Sequence, residues 1–280
     1  MIPKINYIIK IFKIYKSMLI LIFSRLEVSM KPIEVPNLPT SDVGVVIIDK
    51  RASNKIKEAL KKQNILLIET LPHPDIYPAV AYHPDIMFHH IHGNIIVYAP
   101  NTPQKVIDDL TALGFDMLKG QAILKDKYPY TIAYNIARVG KYAFHNTKYT
   151  DPVVKKLLIE RGIEFIHVNQ GYSKCLTCII NENNIITSDN DIYKKAKTAK
   201  IDALLIEPDK SIRLEPFDMG FLGGATGLIG RNRLAFTGDL MLHKNYKEIL
   251  RFLSLKNVDM VMLNDDRLMD LGTIIPIIQK

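Results

Sequence analysis

Beyond residue 42 the chain alternates short apolar runs with stretches of helical spacing, in an order that recurs. Val45-Val46-Ile47-Ile48 is a β-branched run of the kind that forms a buried strand, ending at Asp49. Ser53 is placed to cap a helix running to about Gln63, with Ile56, Ala59 and Leu60 on one face. Ile65 to Ile68 is a second apolar strand. After a proline-rich loop, His83 to His90 and Gly93 to Tyr98 read as a hairpin.

The same order returns further along. Thr102-Pro103 and Asp151-Pro152 each set a capping residue before a proline at the first helical position. Asn190 or Asp191 opens a fourth helix, and Asn245 lies near the start of a fifth with Ile249, Leu250 and Leu253 inward. Starts near 54, 103, 152, 191 and 245 give a period of about 48 residues, within the range of repeat architectures. Each helix feeds an apolar strand: Ile65–Ile68, Phe115–Leu118, Ile163–Val168, Ala203–Ile206 and Val258–Leu263. Hairpin strands recur at Ile95–Tyr98, Tyr142–Phe144, Ile185–Thr187 and Leu234–Thr237. The fifth unit breaks off after Leu271 to Ile275, so the missing strand is supplied by Val45–Ile48 at the other end. The expected fold is α/β, five helix–strand–hairpin units closed in a pseudo-fivefold ring, which hides two apolar strand edges. The expected divisions are a basic, apolar extension over 1–29, a linker over 30–42, and the α/β domain over 43–280.

Charge adds one distinction. The chain has a net charge of +8, of which +4 lies in residues 1–29 (Lys4, Lys10, Lys13, Lys16 and Arg25 against Glu27). The remainder is dispersed and forms no basic stripe interleaved with aromatics, so nucleic acid is not an expected partner. In residues 1–29 the lysines interrupt the apolar run, and Ser17 to Phe23 is too short to span a bilayer. The favoured expectation is a natural start at Met30 with 1–29 as an upstream extension; the alternative is a segment lying on an anionic membrane surface, and any membrane contact is expected there alone. Two cysteines, Cys175 and Cys178, are too few for a disulfide framework, which favours the cytoplasm.

Short motifs then suggest a relationship. His83-Pro84-Asp85-Ile86-Met87-Phe88, Gln170-Gly171-Tyr172-Ser173-Lys174-Cys175, and Glu215 to Gly227, set on the repeat from about Val43 to Ile278, resemble the pentein superfamily of guanidino-group-modifying enzymes. The segments are most similar to an uncharacterised bacterial branch of it. The resemblance implies a five-unit α/β propeller with a central pocket, and a carboxylate, here Asp85, that holds a guanidinium. Two departures matter. The last unit, Asp270 to Pro276, lacks the cysteine those enzymes use as nucleophile, and Pro216 stands where their histidine precedes an Asp-x-x-Phe stretch. The covalent amidino-transfer chemistry of the superfamily is therefore not expected in its usual form.

The remaining candidates follow from residue chemistry. Asp85 lies among His83, His89, His90 and His92. That grouping suits a cationic ligand with a histidine as proton carrier, and equally suits solvated loop histidines. No H-E-x-x-H spacing occurs, so neither metal nor cofactor is expected. On a strand, Cys175 and Cys178 would face opposite ways, excluding a shared metal or a disulfide. Cys175 is then either a packed thiol or, beside Lys174, a nucleophile with His83 as base. Gly220, Gly223, Gly224 and Gly227 allow positive φ or close backbone approach; no phosphate-loop lysine follows them. Asn135 and Asp218 are the other polar residues expected to point inward. Capping is the simple role for Asp239, near His243. The expected partner is a small polar, cationic ligand bound through Asp85, Asn135, Asp218, Gly223 and Gly224. A hydrolase or transferase built on Cys175, or a non-catalytic scaffold, are the alternatives.

Overall fold

A computed structural model describes residues 30–280. The chain enters through β1 (Lys31–Pro32) and β2 (Val43–Ile48), followed by α1 (Asn54–Lys62) and β3 (Leu66–Glu69). Ser53 caps α1 by accepting from the Ile56 amide. Next come the one-turn α2 (Pro84–Met87), the hairpin β4 (Phe88–His92) and β5 (Ile95–Tyr98), α3 (Gln104–Ala112) and β6 (Asp116–Lys119). The hairpin β7 (Ala137–Val139) and β8 (Tyr142–His145) leads to α4 (Pro152–Glu160) and β9 (Glu164–His167). A second one-turn helix, α5 (Ser173–Leu176), precedes β10 (Thr177–Asn181), β11 (Asn184–Thr187), α6 (Asn190–Thr198) and β12 (Asp202–Leu205). After β13 (Ile212–Arg213), the hairpin β14 (Thr226–Gly230) and β15 (Arg233–Phe236) leads to α7 (Tyr246–Leu255) and β16 (Asp259–Met262). The chain closes with β17 (Leu268–Met269) and β18 (Ile275–Gln279).

Four three-stranded sheets share one order: an antiparallel hairpin whose second strand runs parallel to a third that follows a helix. The four-stranded sheet contains that order too, but its hairpin-like pair is made of distant segments. Here β18 lies antiparallel to β2 with Ile275 opposite Ile47, and β2 is parallel to β3. The expected pairing of Val45–Ile48 with the last unit is therefore present. The sheets are separate, and among the described residues none closes on itself. Residues 30–42, expected as a linker, instead pack on the domain: β1 adds to β18, and Ile33 is fully buried.

In these five sheets the strand that joins the antiparallel to the parallel partner (β2, β5, β8, β11 or β15) is buried on both faces, so alternate residues feed two different cores. On β2, Val46 and Ile48 join a core with Ile56 and Leu60, while Val45 and Ile47 join one with Met87 and Val106. On β5, Ile96 enters that second core and Val97 enters a third. Ala143 and Phe144 of β8, Ile185 and Ile186 of β11, and Leu234 and Ala235 of β15 continue the series, and the last returns to the first core. Five cores are thus linked in a cycle, each strand shared between neighbours.

Helix starts differ from expectation at two places. Asp151 caps α4 by accepting from the Val153 and Val154 amides, with Pro152 at the first position. At Thr102-Pro103, however, the hydroxyl turns back to the Ala99 carbonyl (2.7 Å) and the helix begins after Pro103. The cap of α6 is Asp189, one residue ahead of the expected pair. Asp239 does act as a cap, accepting from Met241 at a 3-10 turn over Leu240–Leu242.

Candidate functional site

The segments immediately ahead of the five first hairpin strands meet one another. Asp85 N–H donates to the Gly272 carbonyl, and the Asn135 side-chain amide donates to the Asp85 carbonyl. Lys174 N–H donates to Asn135, Gly224 N–H to the Cys175 carbonyl, and Thr273 N–H to the Gly224 carbonyl. These hydrogen bonds also run in a closed cycle. They gather residues distant in sequence into one buried cluster of Asp85, Asn135, Lys174, Cys175, Asp270 and Thr273, with His83 alongside.

Local structure explains why strand periodicity did not place them. His83 to His90 is not a continuous strand, because Pro84 starts a helical turn and β4 begins only at Phe88. Cys175 lies on α5 and Cys178 on β10; both are free and buried. His83, Asp85 and Met87 therefore do not share one face of a strand, although the expected hairpin ran from His83 to His90.

At the centre, the Cys175 thiol donates to Asp85 Oδ2 at 3.2 Å and accepts from Asn135 Nδ2 at 3.2 Å. Thr273 Oγ1 lies 3.0 Å from the same carboxylate oxygen and 3.1 Å from the Gly223 carbonyl, its one proton serving either acceptor. Lys174 Nζ donates to Thr273 Oγ1 at 3.0 Å. Thr273 holds φ at +74°, a conformation a β-branched residue adopts rarely and at a cost of about 1–3 kcal/mol. That strain sets its hydroxyl between a carboxylate and an ammonium. Asp270 accepts from the Phe221 and Gly272 amides at 2.9 and 3.1 Å.

Burial dominates the electrostatics. It pushes the Asp85 carboxyl up, against the pull of the Lys174 ammonium and its hydrogen bonds. It pushes Asp270 up to about 7, with the charge of Asp85 adding to the effect. Lys174 is driven down by burial and partly restored by Asp85, and the Cys175 thiol is driven well above its usual range. Burial and the nearby Arg51 push His83 down to about 3, so its ring is neutral at pH 7. The ring sits between two buried carboxylates, with Nδ1 3.9 Å from Asp270 and Nε2 3.9 Å from Asp49. Asp49 is paired to Arg51 at 2.6 Å. Among the described residues neither nitrogen of His83 has a hydrogen-bond partner, nor does Asp85 Oδ1. Buried polar atoms in this state call for an occupant or a proton.

Aromatic loops edge the cluster. Tyr77 and Tyr172 share a hydrogen bond of 2.9 Å, Thr131 lies 2.6 Å from the Tyr172 hydroxyl, and Phe217 stacks edge-on against Tyr77 at 5.9 Å. Two surface cavities of about 530 and 510 Å³ lie elsewhere, one at the hairpin turns of β10 and β14 and one beside β6.

Of the residues singled out in the sequence, Asp85, Asn135, Cys175 and His83 come together here. Asp218 does not: its side chain is 85% exposed and pairs with Lys210 at 3.3 Å, because the 215–219 loop runs over the surface. Asn135 spends its carbonyl oxygen on the Lys174 and Cys175 amides and its amide nitrogen on Asp85 and Cys175, so it organises the segments. Gly223 and Gly224 are close-approach positions without positive φ. A side chain on Gly223 would meet the backbone oxygens of Lys174, Thr177 and Cys175 at 2.5–2.6 Å, and one on Gly224 would strike the Asp270 carboxylate. Neither faces open space. His89 and His90 are buried rather than solvated; of the histidines around Asp85, His92 is the exposed one, paired with Glu34 at 3.1 Å. Lys174, Asp270, Thr273 and Asp49 were missed as site residues. The available signal was their phase, since Lys174 and Thr273 fall within three residues of a first hairpin strand, as Asp85 and Asn135 do.

Residues 47–275 match a family model described as "Family of unknown function (DUF6873)". The chain belongs to this family. No curated protein matches it. Among solved structures it resembles an inosamine-phosphate amidinotransferase from Streptomyces griseus, at 10% identity and a TM-score of 0.53, covering 84% of this chain and 92% of that one. It is also similar to an agmatine deiminase from C. jejuni (11% identity, TM-score 0.50, 84% and 90% covered). A dimethylarginine dimethylaminohydrolase adduct gives 10% identity and a TM-score of 0.51, with 79% and 92% covered. The likeness establishes the mixed α/β fold of the pentein superfamily. Among the described residues no helix is long and apolar enough to cross a membrane.

Proposed function

We propose that this family member is a five-unit, pseudo-fivefold α/β propeller that binds a small cation of the amidine or guanidine class at its centre. Two closed cycles support the ring, one of hydrogen bonds between the pre-strand segments and one of shared cores. The observation that carries the ligand reading is a charge imbalance. Asp85 and Asp270 are buried carboxylates served by one buried ammonium, Lys174, while Asp49 is already paired with Arg51. With both carboxylates ionised the centre is short of one positive charge, and Asp85 Oδ1 has no partner. A monocation placed there completes the balance that burial demands. The two free thiols suit a reducing compartment, and we keep the cytoplasm as the proposed location.

A second reading keeps Cys175 as a nucleophile, favoured by its contact with Asp85 and by His83 within reach. It requires the buried thiol to lose its proton to Asp85 or His83 when substrate enters.

The test is a thermal-shift series with arginine, agmatine and simple amidines on chelator-treated protein. A ligand at a hundred times its Kd stabilises by about 2.7 kcal/mol, which at about 2–4 °C per kcal/mol raises Tm by about 5–11 °C for a domain of this size. Stabilisation that disappears in Asp85→Asn and persists in Asp218→Asn is expected. No shift with any amidine at millimolar concentration, or an equal shift in Asp85→Asn, would overturn the reading.

A further inference from the structure

His83, Asp85 and Cys175 each offer one ligand atom, and the three atoms lie within 4.8 Å of one another. All three residues are at least 98% buried. Ligand atoms bound to one tetrahedral cation at about 2.0–2.3 Å stand about 3.3–3.8 Å apart, so a contraction of about 1 Å closes the set. The sulfur and the carboxylate already meet at 3.2 Å. We propose that His83, Asp85 and Cys175 form a binding site for one thiophilic divalent cation of the zinc type. Amidine binding and this site share Asp85, so the two occupants exclude one another.

Three independent features support the assignment. The donor set, an imidazole, a thiolate and a carboxylate, is the mixture that borderline and soft divalent metals select over magnesium or calcium. The imidazole has no partner on either nitrogen, and whichever one ligates, the other faces a buried carboxylate, Asp49 or Asp270. A carboxylate behind a ligating histidine fixes its ring and raises its donor strength. The charges also close. With Cys175 as thiolate and both Asp85 and Asp270 ionised, three negative charges face the single ammonium of Lys174, leaving two to balance. A divalent cation balances both. Without it, the Cys175 thiol that donates to Asp85 keeps its proton, and binding as thiolate sends that proton to solvent. The other titratable groups facing the cluster are the paired Asp49 and Arg51, the phenols of Tyr77 and Tyr172, and the Cys178 thiol. Three protein ligands leave a fourth position open, on a cluster already edged by Lys174 and Thr273.

The experiment is cobalt titration of untagged, chelator-treated full-length protein. The expected result is one cobalt per chain, thiolate-to-cobalt charge-transfer absorption, and release of at least one proton per cobalt in weakly buffered solution. Cys175→Ser is expected to lose the charge-transfer band, and His83→Asn to weaken affinity by more than about tenfold, since changes even behind the ligands cost 10–100-fold. Cys178→Ser, whose sulfur instead meets Thr226 Oγ1 at 3.3 Å, is expected to keep the band. Should the His83 or Cys175 variants fail to fold, proton release by the native chain decides. Absence of stoichiometric cobalt, binding without proton release, or a band lost in Cys178→Ser overturns the proposal. Cobalt binding with no amidine stabilisation would remove the amidine reading and leave the metal site intact; the opposite pattern would do the reverse.

Discussion

Replacing Asp270 by Asn tests the electrostatics of the centre through the pH dependence of stability. The carboxyl is 3% exposed and is raised to about 7 from its ordinary 3.8, chiefly by burial. A carboxyl whose folded pKa exceeds its unfolded one binds its proton more tightly in the native state. Its contribution is fully present below about pH 4 and is lost as pH rises through about 7. About three pKa units at 1.36 kcal/mol each give a loss of about 4 kcal/mol across that window. The Asn side chain keeps one acceptor for the Phe221 or Gly272 amide and forfeits the other, costing about 1 kcal/mol at every pH. Asp270→Asn is therefore expected to be about 1 kcal/mol less stable than the native chain at pH 4 and about 3 kcal/mol more stable at pH 8. Urea unfolding between those limits, followed by far-UV circular dichroism of metal-free protein, measures the difference. Asp85 is also raised and its charge adds to the Asp270 shift, so the swing reports the coupled carboxyl pair with its Asp270 member removed. Parallel stability profiles, with a swing under about 1 kcal/mol, would refute the picture of a carboxyl held protonated by burial.

Two further tests address packing and reactivity. Gly223→Ala drives a methyl into three backbone oxygens and is expected to cost about 3 kcal/mol or more, whereas Gly162→Ala, at φ +70° with nothing within 4 Å, should cost only about 1–2 kcal/mol. Equal costs in chemical denaturation would sink the close-contact explanation of Gly223. Burial pushes Cys178 up to about 11 and Cys175 well above its usual range, so iodoacetamide at neutral pH should label neither in the folded chain and both in urea. Rapid selective labelling of Cys175 in the native state would contradict the buried, protonated thiol and favour the nucleophile reading.

Where sequence reasoning succeeded, the governing interaction was local or periodic. Asp151-Pro152 marks a helix start because both the cap and the proline act within one turn. The unpaired apolar run Val45–Ile48 announces a distant partner because a strand buried on both faces cannot leave its edge open. Reasoning failed where a short turn interrupts the pattern. Pro84–Met87 and Ser173–Leu176 are single helical turns inserted before strands, so neither Asp85 nor Cys175 follows strand alternation.

The sequence by itself determined the order of helices and strands, the pairing that joins the two ends of the domain, and the presence of Asp85, His83 and Cys175 as candidate chemistry. Tertiary structure alone decided which polar residues share the centre. It sends Asp218 outward and brings Thr273 to Asp85 across 188 residues, with Lys174 held beside them. The physical reason is that burial and charge compensation depend on what surrounds an atom in space, and five separate segments of the chain must meet before that environment exists.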